Sequence, residues 1–161
     1  MTTVSQSDAD HRGLVKVQFV LASEDRAAGV EAENLWAQRT GRGSFKIDNI
    51  PFYAYGVSVG DIVAAEEVEG HLRFHAVLSR GGHSTYRVLV KSEEGYESDG
   101  FKALWISLER LGCSREVARS RVVAIDVPPS TDVFAVYQIL EEGERQGVWS
   151  FEEAHCGHTV P

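Results

Sequence analysis

From residue 14 to residue 91, apolar side chains keep returning at every second position, and no other feature limits the fold of this chain as strongly. "LVKVQFVL" at 14–21 puts Val15, Val17 and Phe19 on one face with Lys16 and Gln18 between them, the period of a half-buried strand. The pattern predicts two short strands at 35–38 and 44–47 around Gly41 and Gly43. It returns in "DIVAAEEV" and "HLRFHAVL", which flank Glu69 and Gly70 as a hairpin. In the second arm Leu72, Phe74, Ala76 and Leu78 share one face, with His71, Arg73 and His75 on the solvated one. "TYRVLVK" follows directly, so the spacing predicts a meander whose second turn is "SRGGHSTYR", residues 79–87. Between the hairpins, "NIPFYAYGVSVGD" reads as an ordered loop, because Pro51 fixes its own φ and holds Ile50 extended. Strands of this length and spacing imply a small bent antiparallel sheet or open barrel.

The period changes after "SEEGYESDG". Phe101, Leu104, Trp105, Leu108 and Leu111 recur at helical spacing, Asp99 stands where a cap is expected, and Gly112 follows the last turn, so a helix is predicted over 100–111. "RVVAIDVPP" is a strand stopped by prolines. A second helix is predicted over 132–145 with Val133, Val136, Tyr137 and Leu140 inward, and "VWSFEEA" is a last strand. Counted from Thr85 the order is βαβαβ, which predicts a ferredoxin-like layer and an α+β fold. The expected layout is a flexible tail at 1–13, a β-rich subdomain at 14–91, an α/β subdomain at 92–155 sharing its core, and a second tail at 156–161.

Charge narrows the choice of partners. Sixteen Lys and Arg against 24 Asp and Glu leave a formal charge of −8 over 161 residues, the wrong sign for gripping a phosphate backbone. No run approaches the roughly 20 apolar residues that span a bilayer, and the start lacks the regions of a signal peptide, so the expected location is the cytoplasm. Cys113 and Cys156 are too few and too far apart for a disulfide scaffold, and are read as reduced thiols.

"SRGGHSTYR" is the densest polar stretch. Its simplest reading is a turn made by Gly81 and Gly82, with Ser84 and Thr85 satisfying backbone groups and both arginines solvated. Its functional reading is a concavity of exposed amides, with Arg80 and Arg87 offering planar charge to a carboxylate or phosphate. There His83 is the candidate base for Ser84 or Thr85, and Asp61 is the candidate group to orient the imidazole. Asn49, Tyr53 and Tyr55 complete the candidate ligand-binding set: the two tyrosines alternate with Ala54, and Asn49 precedes Pro51 where a side chain caps a turn. "HCGH" at 155–158 holds metal-capable groups but has no second cluster, so it is read as tail; no metal and no cofactor are expected. Phosphate-loop, nucleophile-elbow and zinc-protease signatures are missing from the sequence.

The segments "LWA", "DNIPFYAYGVSVGD" and "GGHSTYRV" resemble those of an uncharacterised bacterial family that carries a domain of unknown function. The resemblance spans roughly residues 15–155 and is most specific from Leu35 to Arg87. It implies a bacterial, stand-alone domain and assigns no catalytic role.

Two classes of function follow. One is a non-catalytic binding or regulatory module, for example an acidic partner of a basic protein. The other is a small enzyme or ligand-binding protein with its pocket around Arg80, His83, Ser84 and Arg87. The partner is therefore a protein or a small molecule, not nucleic acid and not a membrane. In a gel-shift assay the protein is expected to form no submicromolar complex with duplex DNA at about 150 mM salt, since its charge opposes counterion release.

Overall fold

The computed structural model describes residues 2–5, 13–26, 29–118 and 121–160. The chain divides into two compact units, residues 1–81 and 82–161, each with its own hydrophobic core.

The first unit is a six-stranded bent sheet. Its strands are β1 (Thr3–Ser5), β2 (Leu14–Val20), β3 (Ala32–Gly41), β4 (Ser44–Ile47), β5 (Ile62–Val68) and β6 (His71–Ser79), in the order β1-β3-β2-β6-β5-β4. β3 bonds β2 along one edge and β4 along the other, so the sheet curls back on itself. The sheet is mixed rather than antiparallel as expected: β1–β3 and β2–β6 are parallel, because β6 reaches β2 through a crossover rather than a hairpin. Glu69 and Gly70 both have positive φ, at 52° and 81°, which matches the twist of the β5–β6 hairpin they close. The core collects Val17, Phe19, Leu35, Ala37, Phe45, Ile47, Ala54, Val57 and Val63. On β6 the expected alternation slips at register shifts between Ile62 and Val63 and between Ala64 and Ala65 of β5. Val77 consequently turns to the core, while Leu78 is 58% exposed. Part of the expected leading tail is ordered, with Thr3–Ser5 pairing β3, whereas 6–12 lie outside the described residues.

The second unit pairs β7 (Ser84–Val90), β8 (Ser114–Val117), β9 (Val122–Val127) and β10 (Trp149–His155) in the order β10-β7-β9-β8, all antiparallel. Helices α1 (Asp99–Arg110) and α2 (Val133–Arg145) pack on one face. The expected βαβαβ order gains a strand, becoming β-α-β-β-α-β, because the charged "SREV" of β8 carries no apolar alternation to betray it. β7 is also no third arm of a meander with β5 and β6, since its neighbours are β9 and β10. The expected boundary at 91/92 therefore gives way to one at 81/82.

Helix α1 starts on Ser98, whose hydroxyl accepts from the Phe101 amide, so Asp99 is its first residue and not its cap. Helix α2 starts on Asp132, which accepts from the Phe134 and Ala135 amides. Phe101, Trp105, Leu108, Val133, Val136 and Leu140 meet Tyr86, Val88, Val90, Val123, Ile125 and Trp149 in one core, whereas Tyr137, expected inside, is 40% exposed. The Trp149 indole N–H donates to the Leu140 carbonyl at 2.9 Å, which lays the ring flat against α2 at Gly143. A Cβ at Gly143 would overlap that ring. In an exposed helix Gly→Ala gains up to about 1 kcal/mol. Here overpacking reverses the sign, and Gly143→Ala is expected to lower stability by about 1–3 kcal/mol in urea unfolding.

Candidate functional site

In the first unit the candidate residues are occupied by the backbone around them. Asp61 is fully buried; its Oδ2 accepts from the Ser58 amide at 2.9 Å and from Arg80 Nη1 at 3.0 Å, and its Oδ1 from the Gly81 amide at 2.9 Å. Arg80 also donates through Nη1 to the Gly56 carbonyl at 2.7 Å, leaving its side chain about half exposed. Gly81 is obligatory here, because a Cβ would lie 2.7 Å from the Gly60 carbonyl oxygen.

The aromatic loop is organised by a residue the sequence reading passed over. Glu33, almost wholly buried on β3, accepts from the amides of Phe52 (2.7 Å), Tyr53 (2.9 Å) and Ala54 (2.8 Å). A carboxylate that takes several N–H groups recovers much of its lost hydration. Asn49 is buried and accepts from the Trp36 amide at 2.9 Å, so it ties the loop to β3. Tyr53 is half-buried against the core and Tyr55 is 42% exposed.

In the second unit, strand alternation sorts the remaining candidates onto opposite faces. Thr85 stands opposite Asp126, and Ser84 opposite Val127. Arg87 shares the parity of Thr85, and His83, two residues before Thr85, continues the same face. His83 Nδ1–H donates to Asp126 Oδ1 at 2.8 Å, and the imidazole is a quarter exposed beside a buried carboxylate. Burial pushes the Asp126 carboxyl up, and the neighbouring His83 and His158 pull it part of the way back. Arg87, itself buried, donates Nε–H to Glu152 at 2.7 Å. Thr85 is fully buried between them.

Ser84 points to the helix-covered face and has no solvent exposure. Its Oγ accepts from the Gly157 amide at 2.9 Å and the His158 amide at 3.3 Å, and lies 2.6 Å from His158 Nδ1. His158 Nε2 lies 3.0 Å from the Pro128 carbonyl, which can only accept. The neutral ring therefore carries its proton on Nε2, and Ser84 O–H donates to Nδ1. The segment expected as a tail at 156–161 is thus bonded to β7 through 158. His83 and Ser84 form two separate pairs, His83 with Asp126 and Ser84 with His158, and Asp61 belongs to the Arg80–Gly81 contact. Asp126 had a visible signal, a lone acid inside the apolar run "VVAIDV", and His158 stood in the "HCGH" that was read as tail; Glu33 had none at short range. Among the described residues, no group of three or more His, Cys, Asp and Glu is arranged to hold a metal ion.

These observations define a two-unit α+β protein with a His–Asp pair at the entry to its second sheet. Residues 33–151 match the family model described as "Domain of unknown function (DUF4265)", and the chain belongs to that family. His83, Ser84 and Asp126 fall inside the matched span, and 156–158 beyond it. The chain is also similar to a crystal structure described as that of a hypothetical protein from Neisseria gonorrhoeae, with a TM-score of 0.76 and 23% identity over 91% of this chain and 97% of that one. No curated protein matches the sequence. No helix among the described residues is long and apolar enough to cross a membrane.

Two other groups of the second unit resist ionisation. Burial, reinforced by Asp126, pushes the Cys113 thiol from 9.0 up to about 12. Burial and the hydrogen bond from Tyr86 to Glu153 raise the phenol well above its ordinary value. The unfolded chain loses the thiol proton near 9.0 while the folded one keeps it, so stability is expected to fall as pH rises from 9.0 toward 12. Urea unfolding between those limits is expected to give a shallower pH slope for Cys113→Ala than for wild type.

Proposed function

We propose that this protein is a cytoplasmic, non-catalytic binding module that recognises a basic protein partner, with His83 as its recognition group. The observation that carries this reading is the commitment of Ser84. Its proton is directed to an imidazole as in a serine nucleophile, but its oxygen is fully buried and both lone pairs are taken by the Gly157 and His158 amides, so it has no exposed electron pair with which to attack a substrate. His83 is differently placed. With Nδ1–H held by Asp126, the neutral ring offers the Nε2 lone pair, to which the described residues give no partner. Such a lone pair suits a lysine, arginine or amide donor, and the net charge of −8 draws a cationic partner towards the chain. The order β-α-β-β-α-β supports naming the second unit ferredoxin-like, with the His–Asp pair on the sheet face away from the helices.

One observation favours a second reading. The same carboxylate–imidazole pair is the arrangement of a general base, which would remove a proton from a bound small molecule.

A pull-down from bacterial lysate, run with wild type and His83→Ala, separates the readings. A basic protein is expected to be retained by wild type, released as salt rises to about 0.5 M, and lost with His83→Ala while Tm moves by only a few degrees. Equal retention by the variant would overturn the role of His83. A turnover abolished by His83→Ala would transfer the site to the second reading.

A further inference from the structure

The bonding around Ser84 carries an inference independent of the proposed role of His83. Its oxygen has one hydrogen and two lone pairs, and all are used: the hydrogen by His158 Nδ1, the lone pairs by the Gly157 and His158 amides. Gly157 lets the segment lie directly on the β7 entry, since a Cβ there would overlap the His83 carbonyl. The far end of the His158 ring is held by the Pro128 carbonyl, just past β9. Residues 156–158 are thus clasped to the two central strands of the sheet through one hydroxyl and one imidazole.

From this we infer that residues 156–158 form a strap that is closed while His158 is neutral and released when His158 takes a proton. Protonation puts an N–H on Nδ1, aimed across 2.6 Å at an oxygen with no lone pair to spare. To accept it, Ser84 must give up an amide of the strap and turn its own hydrogen elsewhere; the thiol of Cys156, 3.7 Å away, is the neighbouring acceptor. The charged group of β9 that feels the ring is Asp126, which lies on the opposite face of the sheet and is engaged by His83, and Cys156 is the titratable group on the strap itself. A charged His158 therefore brings one donor more than the Ser84 oxygen can accept while the strap amides stay bonded, and Asp126 attracts its charge without bonding it. Nothing in this needs a ligand or co-reactant beyond a proton from solvent.

Hydrogen exchange by NMR, read as protection factors between about pH 8 and pH 5, tests the strap. Protection of the Gly157 and His158 amides is expected to fall as the pH falls, by no more than about tenfold per pH unit, the signature of one proton, while β7 and β9 amides such as Val88 and Ile125 stay protected. In His158→Gln, protection at 157 is expected to be independent of pH. In Ser84→Ala, it is expected to be lost at every pH. His83→Gln is expected to leave the wild-type pH dependence of Gly157 in place, which separates a failure of this inference from a failure of the binding reading. Flat protection in wild type, a pH dependence that survives in His158→Gln, or a parallel loss at Val88 and Ile125 would overturn it.

Discussion

A backbone amide shut away from water must find an acceptor, and that constraint shapes every irregular segment described above. Inside the sheets the ladders meet it. Outside them the chain spends buried side-chain oxygens: Glu33 on the 52–54 turn, Asp61 on Ser58 and Gly81, and Ser84 on Gly157 and His158. A buried acceptor that loses its donors, or donors that lose their acceptor, cost about 1–3 kcal/mol each, so these few contacts outweigh any exposed ion pair such as Lys102–Glu97. The polar density that marks the chain as unusual is mostly this internal bonding.

The chemistry left over is set by the two-residue period of β7. His83 and Ser84 are neighbours in sequence, yet the pleat sends one towards Asp126 and the other towards His158. Neither pair contains both a base and an available nucleophile. What remains is an imidazole held by a buried carboxylate on one face, and a hydroxyl that organises the chain on the other.

The periodic elements were legible because each reports its own burial. Helices α1 and α2, and strands β2, β4, β5 and β9, fall close to where the spacing of Val, Leu, Phe and Trp puts them. Pairing was less legible, since alternation says that a strand is half-buried and not against which neighbour. Thus β7 was read as an arm of the preceding meander, although Tyr86, Val88 and Val90 face helices that begin some ten residues later. β8 escaped because Arg115 enters the core side as a cation over Trp105 and Phe101, at 4.7 and 5.1 Å, where an apolar residue would have marked the strand. At the site, Arg80, His83, Ser84 and Arg87 stood out by type. Arg80 bonds Asp61 only 19 residues away, but the partners of His83, Arg87 and Ser84, which are Asp126, Glu152 and His158, lie 43 to 74 residues away, and only the folded sheet pairs them.

The clasp between Ser84 and 157–158 also closes the second unit on itself. Its first strand and its last described residues meet at one point, so residues 84 to 158 trace a loop whose ends touch. A chain with that property has no preferred starting point in space. A few residues joining 158 to 82 would give a circular permutant, and the exposed turn at Gln146 and Gly147 offers a place to open it without cutting any strand or any of the bonds that hold the His–Asp pair.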